Sequence, residues 1–225
     1  MARQKMLNQQ QISRVLEILA ETYPDAGPAL KYDTPFQLLV AVVLSAQTTD
    51  KKVNQVTDGL FPLYPTAKEM SQISEEELQE HLKVIGMYRQ KAKNVIALSR
   101  ILMEKYGGQV PEDQEKLMEL PGVGRKTANV VMSVAFGHPR IAVDTHVFRV
   151  SHRLGLVPES CTTPLSVERE LMKHIPKADI PIAHHWLILH GRYVCQARTP
   201  QCDACGLKML CKDYEKRTGI KEVNS

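Results

Sequence analysis

Apolar residues in this chain recur at helical spacing almost everywhere. Over residues 10–22, Ile12, Val15, Leu16 and Leu19 share one stripe, the pattern of a helix with one buried face. Residues 35–46 are apolar nearly all round, which predicts a helix at the centre of a core. Ser74 and Glu77, ahead of Leu78 and Leu82, carry the signature of a capping box. Thr163 followed by Pro164 reads as an N-cap and the first helical position. Further helices are expected over 89–105, 113–119, 125–136, 145–154, 164–174 and 183–194. Ile141-Ala142-Val143 is the one strand-like run, and it is too short to make a sheet. The expected fold class is all-α with short loops.

Composition narrows this picture. A chain of 225 residues has room for one large domain or two small ones. Hydrophobic content of 43% is ample for a core, and 5% aromatic residues suit aliphatic helix packing better than a β-sandwich. The net charge of +4 permits an anionic partner without requiring one. The N-terminal segment has basic residues with no apolar stretch behind them, so no signal peptide is expected. The longest apolar run, Leu38 to Leu44, falls far below the ~20 residues of a membrane span. A soluble cytosolic protein follows.

In a reducing compartment, clustered cysteines read as metal ligands rather than disulfides. Four of the five cysteines, Cys195, Cys202, Cys205 and Cys211, are spaced C-x6-C-x2-C-x5-C. Four thiolates this close point to a metal ion or cluster. So short a segment cannot nucleate a core, and metal binding would fold it. The spacing alone leaves zinc and iron–sulfur both open. Cys161 stands apart and reads as a small buried hydrophobe. His184, His185 and His190 show no evident carboxylate or cysteine partner and read as cap or core residues.

A second signal is Leu120-Pro121-Gly122-Val123-Gly124-Arg125-Lys126. One helix ends at a Pro-Gly turn and another starts near Gly124. The glycines allow positive φ and close approach to a ligand, and the new helix offers free N–H groups and its positive dipole end. That arrangement grips a phosphate without reading base sequence. An ordinary corner between two helices is the plain alternative, which Arg125 and Lys126 weigh against. Lys126 lies in the first helical turn, where the dipole disfavours a cation. With burial added, its pKa would fall, as Schiff-base chemistry requires. The alternative is a charged phosphate-binding lysine. Asp144 reads as the N-cap of the helix that begins at Thr145. The same carboxylate is suited to taking a lysine's proton or offsetting positive charge that develops on a sugar.

Residues 85–92 echo residues 121–128, with Gly86 at Gly122, Arg89 at Arg125 and Ala92 at Ala128. This is either two related helix-opening turns or chance among common helix-start residues. Asp50 reads as a helix N-cap, and the basic run Lys83 to Lys105 as a solvated helix face.

The cysteine spacing, the Leu120–Val131 hairpin and the Val143–Val150 segment together resemble the endonuclease III family of DNA repair glycosylases. Residues 38–50 and 184–193 extend the likeness, which covers about residue 10 to Cys211. The resemblance implies two helical domains with a cleft between them. One is a six-helix barrel with the helix-hairpin-helix, over residues 28–138. The other is an iron–sulfur domain, over 1–27 and 139–225. Lys126 matches the nucleophile that attacks C1′ of the damaged nucleotide, and Asp144 its carboxylate partner. The four cysteines match the ligands of a [4Fe–4S] cluster, whose loop would also carry Arg198 toward the backbone. Gln47 matches the residue that fills the space left by the flipped base. Met87 stands where many relatives have a leucine wedge, while Gly122, Gly124 and Arg125 match the phosphate-binding hairpin. The implied activity is removal of oxidised pyrimidines from damaged double-stranded DNA, then β-elimination at the abasic site. A cytoplasmic bacterial monomer bound to no membrane is expected. A sister adenine glycosylase shares hairpin and cluster but lacks a lysine at the position of Lys126. A zinc-knot DNA-binding module is the rival of another class.

Overall fold

The structure, a computed structural model, describes residues 6–220. The outermost residues read for a targeting signal, and those of the second expected domain, lie outside that range. All regular structure among the described residues is helical, in twelve segments. None of these helices is long and apolar enough to cross a membrane. The chain divides into two compact units, residues 28–138 and residues 1–27 with 139–225.

The 28–138 unit holds α2 (Pro35–Leu44), α3 (Asp50–Leu60), α4 (Ala67–Gln72), α5 (Glu75–Leu82), α6 (Tyr88–Tyr106), α7 (Gln114–Met118) and α8 (Arg125–Phe136). These are seven helical segments where the resemblance implied six, and α7 is a single turn that leads into the hairpin. Thr34 caps α2, whose residues from Phe36 to Leu44 are all buried. The helix therefore meets neighbours on every side, packing against α3, α6 and α8. Each Leu or Val buried there contributes about 1.5–3 kcal/mol, so α2 is the axis of this core. Two helices of this unit escape the sequence pattern, as does the short helix Lys212–Thr218 in the other. In α3, Lys51, Lys52, Gln55 and Asp58 surround a narrow stripe of Val53, Val56 and Leu60. In α4 only Ala67 and Met70 are buried. Asp50 is the first residue of α3, and its N-cap is Thr49 rather than Asp50 itself. The box expected at Ser74 is half formed. Ser74 Oγ accepts from the Glu77 N–H at 3.1 Å, but the Glu77 carboxylate is taken by the Tyr64 hydroxyl.

The other unit holds α1 (Gln9–Thr22), α9 (Thr145–Leu154), α10 (Pro164–His174), α11 (Ile180–Tyr193) and α12 (Lys212–Thr218). Complete capping boxes occur at Asn8 with Gln11 and at Thr163 with Ser166. Ile141-Ala142-Val143 is buried irregular chain leading into α9, not a strand. Cys161 is buried in this unit's apolar core. The helices α9 and α11 lie close because position 191 has no side chain. A Cβ added there would stand 2.9 Å from His146 Cβ and 3.3 Å from Arg149 Nη2. Arg149 Nη2 donates to the Gly191 carbonyl at 2.8 Å, which fixes the crossing.

Gly191→Ala should therefore lower stability despite the better helix propensity of alanine. Propensity contributes up to about 1 kcal/mol in its favour, while overpacking costs about 1–3 kcal/mol. Denaturant unfolding checks this, and a stabilised variant would mean that the two helices separate freely.

Candidate functional site

In the 28–138 unit, helix starts divide into two kinds. Ser, Thr or Asp side chains cap α2, α3, α4, α5 and α7, whereas α6 and α8 begin without a side-chain cap. A start without a cap leaves backbone N–H groups for water or a ligand, beside the positive end of the helix dipole. The α8 start is the Gly-rich hairpin. Leu120 and Val123 are buried and anchor it, and the Val123 N–H donates to the Leu120 carbonyl at 3.0 Å. Gly122 has φ +81, and an added Cβ would meet Asn94 Nδ2 at 2.8 Å, so only glycine fits. Gln114 Nε2 donates to Oδ1 of buried Asn129, tying α7 to α8.

Arg125 and Lys126 are the first two residues of α8. Lys126 is exposed, which corrects the expectation of burial: it points off the first turn rather than into the core. The hairpin echo is also looser in three dimensions than in sequence. In α6 the left-handed residue is Met87, immediately before the helix. In α8 it is Gly122, with Val123 and Gly124 in between. The two segments share bare helix starts but not the same turn.

Gln47 and Met87 are the two non-glycine residues with positive φ among those described, at 53° and 55°. Neither side chain favours that region, and each such residue costs about 1–3 kcal/mol. Both are exposed, Met87 to 50%. The basic run along α6 is not uniformly solvated. Arg89, Gln90 and Lys93 are exposed, but Lys91 is buried at 3% exposure.

In the other unit, Asp144 caps α9 as the sequence predicts. Its Oδ1 accepts from the N–H groups of His146 and Val147, both at 2.8 Å. Its Oδ2 lies 3.1 Å from His146 Nδ1. The carboxylate is thus held at both oxygens. The His146 contact was readable from the Asp-x-His spacing, because an N-cap side chain and the residue two further on share one turn.

The four expected ligands, Cys195, Cys202, Cys205 and Cys211, line one cavity with ≈ 340 Å³ of space not filled by atoms, its mouth included. Among the described residues no three Cys, His, Asp or Glu side chains group as ligands of a single ion. The loop is braced through its carbonyls. Arg153 donates to Gln196 O at 2.7 Å and Ala197 O at 2.8 Å, and Arg149 to Cys195 O at 3.1 Å. Arg217 Nη2 lies 3.0 Å from Cys202 Sγ. Burial pushes the Cys211 thiol up to about 11 and raises that of Cys205. Nearby positive charge is therefore needed to hold them as thiolates. His190 is not a plain core residue. Its Nε2 lies 3.7 Å from Cys205 Sγ, and its Nδ1 lies 3.2 Å from the Tyr23 hydroxyl. The partner cysteine was missed because it returns from a loop 15 residues later. Burial lowers the His190 pKa to about 4, so the ring is neutral near pH 7. Arg198 is exposed on the same loop.

Comparison with known proteins adds an independent line. Residues 40–177 match the family described as HhH-GPD superfamily base excision DNA repair protein. The chain is 50% identical over 212 residues to endonuclease III of Bacillus subtilis, covering 94% of this chain and 96% of that one. It is 46% identical over 210 residues to endonuclease III of Escherichia coli K12, covering 93% and 99%. A trapped endonuclease III–DNA covalent intermediate superposes with a TM-score of 0.88 at 52% identity, covering 94% of this chain and 99% of that one. A thermostable thymine-DNA glycosylase gives 0.84 at 25% identity, covering 92% and 98%.

Replacement of Asp144 separates its cap from its chemistry. Asp144→Ala should cost about 1 kcal/mol of stability, whereas Asp144→Asn keeps an acceptor oxygen and should cost a few tenths at most. Equal losses in thermal unfolding would refute the cap assignment.

Proposed function

This chain belongs to the HhH-GPD superfamily of base excision DNA repair proteins, and from that membership we propose that Lys126 and Asp144 carry the chemistry of a DNA N-glycosylase that is also an abasic-site lyase. The observation that supports this most is the start of α8, where Lys126 follows a Gly-rich, uncapped turn. A 52% identical relative has been captured as a covalent intermediate with DNA, and covalent capture requires a nucleophile. Lys126 supplies the amine.

The substrate is damaged double-stranded DNA bearing an oxidised pyrimidine such as thymine glycol. The hairpin N–H groups, with Gly122, Gly124 and Arg125, hold backbone phosphate. Met87 enters the base stack and Gln47 fills the space left when the lesion swings out. A non-planar base stacks poorly, so its extrusion costs less than that of a normal base. Lys126 Nζ bonds to C1′ as the base departs with the glycosidic electron pair. Ring opening leaves an imine between lysine and sugar. The imine acidifies the C2′ proton, and loss of that proton expels the 3′ phosphate by β-elimination. Asp144 accepts a proton from the amine or offsets positive charge on the sugar, and the contact with His146 orients it.

The four cysteines are the proposed ligands of a [4Fe–4S] cluster. The four thiols line one cavity, and their spacing is that of the family's cluster ligands, which supports this assignment over zinc. When bound, the cluster supplies positive charge that keeps buried thiols ionised and cross-links a loop too short to fold alone. The work takes place in the bacterial cytoplasm, on the nucleoid.

Lys126→Ala should abolish both base release and strand nicking while DNA binding survives, and borohydride should trap the wild-type protein on a thymine glycol duplex. Full nicking by the variant would exclude this nucleophile. The purified protein should be brown and contain iron, and Cys211→Ser should lose both colour and stability. A colourless protein holding zinc would overturn the cluster.

A further inference from the structure

The two strained residues assigned to the DNA duplex come from different turns, and something must hold both in place. Gln47 lies between the end of α2 and the start of α3, and Met87 immediately precedes α6. Their left-handed backbones relax if either turn is free to move, because neither glutamine nor methionine favours that region.

One residue is bonded to both turns. The Lys91 backbone N–H donates to the Met87 carbonyl at 3.0 Å. Its side chain runs inward from α6, and Nζ donates to Thr48 Oγ1 at 2.8 Å. The Thr48 hydroxyl in turn donates to the Ala46 carbonyl at 3.4 Å. This chain of bonds reaches the residues on both sides of Gln47. The Thr48 N–H donates to Ser45 O at 3.0 Å and closes the same turn on the end of α2.

The arrangement is unfavourable for the lysine alone. Lysine is almost never fully buried without an anionic partner. Here the group it meets is a neutral hydroxyl, and burial lowers its pKa. A lysine needed only for solubility would project into water like its neighbours Arg89 and Lys93. The desolvation cost has a counterpart if the bond fixes two exposed side chains in advance, since ordering completed before binding does not weaken affinity.

We infer that Lys91 is a positioning residue that staples the Gln47 turn to the start of α6, so that Gln47 and Met87 enter the duplex as one preset pair. The inference rests on the assignment of those two residues to DNA under Proposed function. It assigns Lys91 no contact with substrate.

The test uses the full-length protein and a duplex with a tetrahydrofuran abasic analogue, which the lyase step cannot cleave, opposite 2-aminopurine. Fluorescence of 2-aminopurine reports unstacking of the opposite base, and competition with undamaged duplex reports discrimination. Lys91→Met keeps length and removes the donor. Thr48→Val removes the acceptor, and Thr48→Ser restores it. Lys91→Met and Thr48→Val should each lower discrimination about fivefold, the worth of one hydrogen bond, with a matching loss of fluorescence gain. The double variant should lose no more than either single one, because both remove the same bond. Thr48→Ser should behave as wild type. Thermal stability of Lys91→Met should be unchanged or higher, since an apolar chain replaces a buried charge. If Lys91→Met fails to fold, the valine and serine variants carry the comparison. Wild-type discrimination in Thr48→Val, alongside losses in Gln47→Ala and Met87→Ala, would overturn the staple alone. No effect in Gln47→Ala and Met87→Ala would remove the DNA assignment and this inference with it.

Discussion

A helix must satisfy its first N–H groups, and that requirement organises the 28–138 unit. Five of its seven helices meet it with a Ser, Thr or Asp side chain. At α6 and α8 the cap is missing, and an exposed turn with a left-handed residue stands in its place. Donors left open beside a positive dipole end favour an anion, and a duplex offers phosphates at regular intervals. The rest of the unit holds those two turns still. Asn94 closes under Gly122, Asn129 ties the hairpin arms, and the buried axis helix α2 packs against both α6 and α8.

Strain and burial are distributed accordingly. The core of this unit is aliphatic and well buried, which leaves stability to spare for two non-glycine residues with positive φ and one buried lysine. Each is locally unfavourable. Their coincidence within a few residues of one another in the bonding pattern is difficult to explain as structure alone. A preset pair of exposed side chains gives it a reason.

The cysteine loop obeys a different constraint. Burial makes the Cys205 and Cys211 thiols resist ionisation, and the loop backbone is held by arginines from α9. The cluster proposed for this loop would reverse the first difficulty and brace the loop from within. The contact of His190 with Cys205 extends the site to α11, and Tyr23 extends it to the segment after α1.

Much of this was legible in the sequence because local rules suffice for it. Periodicity marks most helices, Thr163-Pro164 and Asp144 mark starts, and the cysteine spacing and the Pro-Gly-Val-Gly turn mark sites without reference to distant residues. The weakly patterned α3 and α4 were hidden because few of their side chains reach the core. The half-formed box at Ser74 was hidden because Tyr64, ten residues earlier in the chain, competes for Glu77. The exposure of Lys126, the burial of Lys91 and the cysteine partner of His190 belong to tertiary structure alone. Which side of a helix is covered, and by what, depends on chain segments brought together from afar, and no local pattern encodes that.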